Sequence, residues 1–200
     1  MKKLLIFFLA LALFAGLVAS TACAEMYYSG NMGIVSVSDS DISDGSDSGE
    51  LSFDDGFAMT GALGYTLGYA GRVELEMGYR ANDVDKITLD GYGTGSVVGD
   101  MTTISLMGNA YYDFATVGQF TPFIGAGIGL ANIEAKFDLT GNEDDTVFAF
   151  QLAAGGSLAV SENLNIDFQY RYFGTEDPNF DGLEAEYNTH NLILGLRFNF

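Results

Sequence analysis

Large apolar residues alternate with small or polar residues along most of the chain after residue 25. The last ten residues show the pattern clearly, because Leu192, Leu194, Leu196, Phe198 and Phe200 occupy alternate positions. Residues two apart on a β-strand point to the same side, so this segment carries one apolar and one polar face. The period-two pattern occurs eight times and no sustained helical period is present, which predicts an all-β protein.

Eight strands follow from this pattern. They are predicted at Met26–Ser38, Phe57–Leu67, Arg72–Arg80, Thr102–Phe114, Phe120–Phe137, Thr146–Val160, Leu164–Tyr172 and Thr189–Phe200. The joins between them are alternately long and short, which is typical of an up-and-down meander whose two ends differ. The fold class predicted is an eight-stranded antiparallel transmembrane β-barrel, with short periplasmic turns and long extracellular loops.

The two faces of the strands differ in size, and this difference predicts which one lies inside. The second face of the segments at 123–131 and 149–157 carries mostly glycine, alanine and other small residues, and no charge. A water-exposed surface is roughly 25–35% charged, and the bore of an eight-stranded barrel is only just wide enough for side chains. We therefore expect the small face to line the bore and the large apolar face to contact lipid.

Aromatic residues cluster at both ends of the predicted strands. Those near the short turns are Tyr28, Tyr65, Tyr112, Phe120 and Phe198, and those near the long loops are Phe57, Tyr79, Phe148 and Tyr172. Two such bands are typical of the two membrane–water interfaces.

The first 24 residues have the parts of a secretory signal. Two lysines precede an uncharged apolar run at 4–18, and small residues close it at 22–24. The run is shorter than the ~20 residues of a membrane-spanning helix. Residues 1–24 are therefore predicted to be a cleaved signal peptide and 25–200 the barrel domain. Acylation of Cys23, as in a lipoprotein, is the alternative to cleavage after Ala24.

The chain is strongly acidic, with 27 Asp and Glu against eight Lys and Arg and a formal net charge of −19. No basic cluster is present, so nucleic acid is not an expected partner. Most of the acidic residues fall in the long joins, where dense carboxylates repel one another and weak screening by Ca²⁺ or Mg²⁺ is expected. Such ions would also bridge the loops to lipopolysaccharide phosphates.

One segment of the first long join resembles a calcium-binding loop in its spacing. Its candidate ligands are Asp39, Asp41, Asp47 and Glu50. Asp44 stands where an EF-hand loop needs glycine, and no helices flank the segment. No firm metal site and no cofactor are predicted.

Charged residues also fall on the predicted inner face. They are Glu74, Glu76, Arg80, Asp113, Asp167, Arg171 and Arg197. Four acids and three arginines nearly cancel, as buried charges must if their desolvation is to be offset. The structural interpretation is a polar network that holds the strands in register and blocks flow. The functional interpretation is a narrow gated path in which an arginine changes its carboxylate partner.

The single histidine, His190, shares its face with Leu192 and is expected to point outward near the loops. A hydrolase site on the outer surface needs a serine activated by a histidine, with a carboxylate that orients it. Thr189 should face inward, and Ser157 and Ser161 lie toward the other end. No catalytic residue is predicted, and a lipid-headgroup contact for His190 is preferred to a catalytic base.

Three stretches, GRVELEMGYR, FTPFIGAGIGLA and LNIDFQYRYF, resemble the OmpA/OmpX-like superfamily of small outer-membrane β-barrel proteins. The end of the chain, with Leu196, Phe198 and Phe200, resembles the signal by which such barrels are recognised for assembly. The resemblance implies the outer membrane of a Gram-negative-type bacterium, with extracellular loops and periplasmic termini. It also implies contacts with outer-membrane lipid, lipopolysaccharide, periplasmic chaperones and the barrel-assembly machinery. The peptidoglycan-binding domain of OmpA-type proteins is not expected.

This superfamily holds structural proteins, adhesins, small pores and a few lipid-modifying enzymes. We expect a monomeric surface protein with a structural, adhesive or antigenic role that displays acidic loops. The alternative is a small, weakly cation-preferring pore, because an acidic mouth raises the local cation concentration. A lipid A-modifying enzyme is the third hypothesis. Conductance separates the first two, and release of fatty acid from lipopolysaccharide identifies the third.

Overall fold

The computed structural model shows a closed barrel of antiparallel β-strands. It describes residues 25–37, 40–43, 48–53, 55–89, 93–137, 141–176, 178–180, 183–185 and 187–200. The barrel strands are β1 (Glu25–Val37), β2 (Gly56–Leu67), β3 (Gly71–Leu89), β4 (Gly93–Asp113), β5 (Phe120–Phe137), β6 (Gly141–Ala159), β7 (Leu164–Thr175) and β8 (Asn188–Asn199). Each pairs with its neighbours in the chain, and β8 pairs with β1 to close the ring. The predicted eight-stranded antiparallel barrel is confirmed.

The two ends of the barrel are built differently. The joins at 68–70, 114–119 and 160–163 lie at one end, here called the turn end, where β1 begins and β8 ends. The joins after β1, β3, β5 and β7 lie at the other, here called the loop end. Over the described ranges, no helix has the length and apolar character needed to cross a membrane.

Large apolar side chains cover the outside of the barrel. Ile128, Phe168 and Leu194 come from three different strands and expose 49%, 49% and 57% of their surfaces. Their chain neighbours Gly127, Asp167 and Ile193 face inward and are buried. The prediction that the large apolar face of the strands lies outside and the small or polar face lines the bore is therefore confirmed.

Aromatic side chains contact one another on the outer face near both ends. At the turn end, the rings of Tyr28 and Phe198 stack with centroids 5.7 Å apart. Toward the loop end, the rings of Phe57 and Tyr79 lie 5.8 Å apart. Aromatic pairs of this kind add to the stability that burial provides.

The strands at the loop end are longer than the alternation predicted. β3 continues to Leu89 and β4 begins at Gly93, where a long loop was expected from 81 to 101. β6 likewise begins at Gly141 and not at the predicted Thr146, whereas the predicted range of β5, Phe120–Phe137, is correct. The other boundaries at this end were wrong because a strand beyond the lipid needs no apolar outer face. Its period-two signal therefore fades.

In the described part of the chain, four short strands extend the wall of the barrel at the loop end. They are Ser40–Ser43, Ser48–Phe53, Asn179–Phe180 and Leu183–Ala185. Ser48–Phe53 pairs with the far end of β3, and Ser40–Ser43 pairs with both Ser48–Phe53 and Leu183–Ala185. The first and last long joins thus meet in one sheet with β3.

Two tyrosines fit inside the narrow bore because each faces a glycine on the next strand. Tyr27 lies opposite Gly64, and Tyr111 lies opposite Gly125. A Cβ atom at Gly64 would overlap the Tyr27 ring, and one at Gly125 would overlap the Tyr111 ring. These glycines explain why large residues occur on a face that the sequence analysis assigned to small ones.

Replacing Gly64 by alanine is expected to lower the free energy of unfolding by about 1–3 kcal/mol, the usual effect of overpacking. The Tyr27 ring is fully buried and cannot move without disturbing its hydrogen bond to Glu74. Gly61→Ala on the same strand is the matched control, because nothing lies within 4 Å of a Cβ atom there. Denaturant unfolding in lipid vesicles measures both, and equal stability of the two variants would contradict the packing argument.

Candidate functional site

The interior of the barrel contains all seven charged residues that the sequence places there. Glu74, Glu76, Arg80, Asp167, Arg171 and Arg197 are each at most 7% exposed. Asp113 is partly buried near the turn end, with its side chain 17% exposed. The alternation of the strands therefore identifies the position of each residue, but it does not say which arginine pairs with which acid.

Arg72, which the sequence analysis did not select, organises the cluster nearest the turn end. Its Nε and Nη2 atoms donate to the Asp113 carboxylate at 2.8–3.0 Å, and its Nη1 lies 3.7 Å from Glu74 Oε1. Glu74 also accepts a hydrogen bond of 2.9 Å from the Tyr27 hydroxyl. With Arg72 included, four arginines balance four acids in the described interior.

A second ion pair joins β7 and β8. Arg197 Nε donates to Asp167 Oδ2 at 3.0 Å, and Arg197 Nη2 donates to the Ser157 hydroxyl of β6 at 2.7 Å. The Arg197 guanidinium also lies 5.4 Å from the centre of the Tyr27 ring. Tyr27 therefore contacts both this pair and the Arg72 cluster.

The central ion pair crosses the bore. Arg171 Nη1 lies 2.7 Å and 2.9 Å from the two carboxylate oxygens of Glu76. Glu76 is on β3 and Arg171 on β7, which are four strands apart in a ring of eight and therefore opposite each other. Gln151 of β6 donates to Glu76 at 3.2 Å and to Asn109 of β4 at 2.6 Å. Side chains from four strands thus meet on the barrel axis.

Above this pair, toward the loop end, the interior becomes apolar. The buried cluster, here called the apolar layer, consists of Val37, Met101, Met107, Ala131, Ile133, Val147, Ala149, Phe173 and Tyr187. Tyr187 comes from the join between β7 and β8 and packs edge-on against Phe173. Burial raises the pKa of the Tyr187 hydroxyl above its usual range. The alternation of the strands predicted a polar interior, so this apolar layer was not expected.

Arg80 lies at the boundary between the polar interior and the apolar layer. Its guanidinium is 3.8 Å from the centre of the Phe173 ring, and its Nη1 donates to the Ser105 hydroxyl at 3.1 Å. Its Nε and Nη2 atoms are buried and have no hydrogen-bond partner.

The polar interior contains a small cavity. A cavity bounded by Ser29, Glu74, Gln169 and Arg171, among others, leaves about 10 Å³ for the centres of water molecules. That is about the space of one water molecule. A void of this size holds a single solvent molecule.

On the outer surface, His190 belongs to an aromatic cluster. Its Nδ1 lies 2.5 Å from the Tyr170 hydroxyl, and its ring centre is 5.4 Å from that of Tyr172. His190 is exposed, whereas Thr189 is fully buried on the inner face. Ser157 is bonded to Arg197 inside the barrel. His190 thus presents a polar contact on the outer face at the loop end.

Several sequence predictions fall where the structure gives no side-chain information. Asp39, Asp47 and the signal segment at 1–24 lie outside the described residues. Asp41 and Glu50 are opposite each other in the pairing of the first two short strands, and their side chains lie outside the described part. Among the residues that are described, no group of three His, Cys, Asp or Glu could hold a metal ion.

The proposed assembly residues lie on the outer face of the final strand. Leu196, Phe198 and Phe200 expose 55%, 42% and 63% of their surfaces. The backbone N–H of Phe200 donates to the Met26 carbonyl at 3.0 Å. The final residues are thus both paired in the sheet and available on the outside.

A comparison with solved structures agrees with the fold. Neisserial surface protein A is 20% identical, and the superposition covers 89% of this chain and 99% of that one with a TM-score of 0.58. At this identity the likeness shows the fold alone.

Sequence comparison identifies relatives and a family. RC1281, a candidate adhesin of Rickettsia conorii, is 33% identical over 52% of this chain and 50% of the relative. Outer membrane protein PagN of Salmonella typhimurium is 36% identical over 36% of this chain and 33% of the relative. The match thus spans half or less of these relatives' lengths. The model of the outer membrane protein beta-barrel domain matches residues 6–200, so the chain belongs to that family of the outer membrane.

Proposed function

We propose that this protein is a sealed outer-membrane scaffold that acts as an adhesin through its loop end. The observation that carries the proposal is the ion pair of Glu76 and Arg171 across the bore. Together with the apolar layer it fills the described interior on the axis. A barrel with a filled bore acts through its surface, and the names of the relatives RC1281 and PagN support an adhesive surface role.

The loop end is the part of the molecule suited to contact a partner. The extended β3–β4 hairpin and the short strands raise this end above the band of outward apolar residues. Most of the acidic residues of the chain belong to the segments there. We place this end outside the cell and both ends of the described chain in the periplasm. Recognition at this end would favour basic patches on a partner, and divalent ions would weaken it by screening the carboxylates.

Attachment can be measured on non-adherent bacteria that display the protein. We expect such cells to bind an epithelial monolayer several-fold better than cells with an empty vector. Neutralising Asp39, Asp41, Asp47 and Glu50 to the corresponding amides should remove most of the binding. Glu162→Gln at the turn end is the control, because Glu162 is exposed but lies at the opposite end. At equal surface amounts, binding no better than the empty vector would contradict the adhesive role.

The alternative of a small cation-preferring pore is tested by single-channel recording in planar bilayers. We expect no conductance from the wild-type protein or from Arg197→Ala, because the Glu76–Arg171 pair remains across the bore in both. Cation-selective openings in the wild-type protein would favour the pore. Openings only in Arg197→Ala would show that the Arg197–Asp167 pair contributes to the seal.

A further inference from the structure

Three buried polar atoms around the cavity of the polar interior have no hydrogen-bond partner among the described residues. They are Ser29 Oγ, Gln169 Oε1 and Arg171 Nε, and their residues all border that cavity. Gln169 and Arg171 are two positions apart on β7 and share its inner face. Ser29 is on β1, which β8 separates from β7 in the ring. Because unpaired polar atoms are unfavourable in a buried site, this arrangement indicates a ligand between them.

The cavity suits a neutral ligand of the size of one water molecule. Two acids, Glu74 and Asp167, border it. Two arginines, Arg72 and Arg171, border it as well, so the formal charges around the cavity cancel. Its free volume of about 10 Å³ is that needed by a single water molecule. An ion would unbalance these charges and a larger molecule would not fit, so water is the ligand that the cavity favours.

We propose that one internal water molecule bridges Ser29, Gln169 and Arg171 and is a structural part of the polar network. Its oxygen accepts from the Arg171 Nε–H group, and one of its protons is donated to Gln169 Oε1. A third hydrogen bond joins it to the Ser29 hydroxyl, and three bonds are typical of a buried water molecule. Arg171 also binds Glu76 through Nη1, so the water connects the central ion pair to β1.

A high-resolution crystal structure of the detergent-solubilised protein tests the site directly. We expect one ordered water molecule at hydrogen-bond distance, about 2.7–3.2 Å, from Arg171 Nε, Gln169 Oε1 and Ser29 Oγ. Direct hydrogen bonds among these three groups with no water between them would overturn the proposal, and so would an ion at the same place.

The bridge can also be measured by NMR on the folded protein in detergent micelles. The Arg171 Nε–H proton should show a through-space cross-peak to water, with the sign that distinguishes contact from proton exchange. Ser29→Val fills the cavity with methyl groups and should abolish this cross-peak.

Ser157→Val is the matched control, because Ser157 is also a buried serine but bonds Arg197 and does not border the cavity. It should keep the cross-peak. If Ser29→Val does not fold, Ser29→Thr adds one methyl group to the cavity and should have the same effect. No cross-peak in the wild-type protein, or a cross-peak of unchanged strength in the variant at position 29, would overturn the proposal.

Discussion

Replacing Glu76 by glutamine is expected to lower the free energy of unfolding by about 3–5 kcal/mol, the effect of breaking a buried ion pair. Arg171 is 1% exposed and bonds both oxygens of the Glu76 carboxylate. The substitution keeps the shape of the side chain but leaves the Arg171 charge unbalanced. Arg80 has no carboxylate partner in the described interior, so the variant would contain two unpaired guanidinium groups.

Urea unfolding in lipid vesicles, followed by gel mobility, measures this effect. The matched control is the double variant Glu76→Gln with Arg171→Gln, which removes both charges of the pair. It should be more stable than Glu76→Gln alone, because the penalty comes mainly from the unpaired charge. A single variant within about 1 kcal/mol of the wild type would mean that bulk water reaches Arg171, and it would contradict the proposed seal.

Replacing Leu194 by arginine is expected to cost about 2–4 kcal/mol in lipid vesicles, the range for arginine at the bilayer midplane. Leu194 lies near the middle of β8, points outward and exposes 57% of its surface on the face expected to contact lipid. Buried in acyl chains, the guanidinium would have no counter-ion on the outer surface.

Ser36→Arg is the matched control for this experiment. Ser36 also points outward, but it pairs with His190 at the loop end of β8 and so lies near the interface. Arginine there should cost about 0–1 kcal/mol. Both variants are unfolded in the same vesicles, and equal losses of stability would show that the two positions do not differ in depth.

The fold was predictable because two environments act on the same strand. Lipid demands a large apolar outer face, and the narrow bore demands a small or paired inner face. Phe168 therefore has to be large and apolar because it faces outward, whereas its neighbour Asp167 has to be small or paired because it faces the bore. The period-two pattern of apolar residues is the direct result. From the sequence alone it indicates how many strands the barrel has, in which direction each runs and which face of each lies inside.

The candidate site was predictable in position but not in pairing. Arg72 was missed although it shares its face with Glu74, because it stands at the first position of the predicted strand. The partnership of Glu76 with Arg171 depends on their strands being opposite in the closed ring, which no local pattern records. Alternation indicates that a residue points inward, whereas only closure of the barrel determines what it meets.

The loop end was the least predictable part. Beyond Ala81 the outer face of β3 no longer needs apolar residues, so its strand signal is lost. Tyr187 reaches the apolar layer from a join rather than a strand, and its burial depends on contacts distant in the chain. The interior also admits Tyr111 only because Gly125 lies beside it. Contacts of this kind can be identified only once the register of the two paired strands is known.

The central claim is that bulky apolar residues face lipid while the polar network is sealed on the axis. Single tryptophans can test it, because the chain has none. Phe168→Trp and Ile128→Trp place a tryptophan on the outer face, and Phe123→Trp places one inside, where Phe123 is 3% exposed. In vesicles of lipids with brominated acyl chains, we predict strong quenching at positions 168 and 128 and little at position 123. Strong quenching at position 123 with little at 168 and 128 would contradict the account.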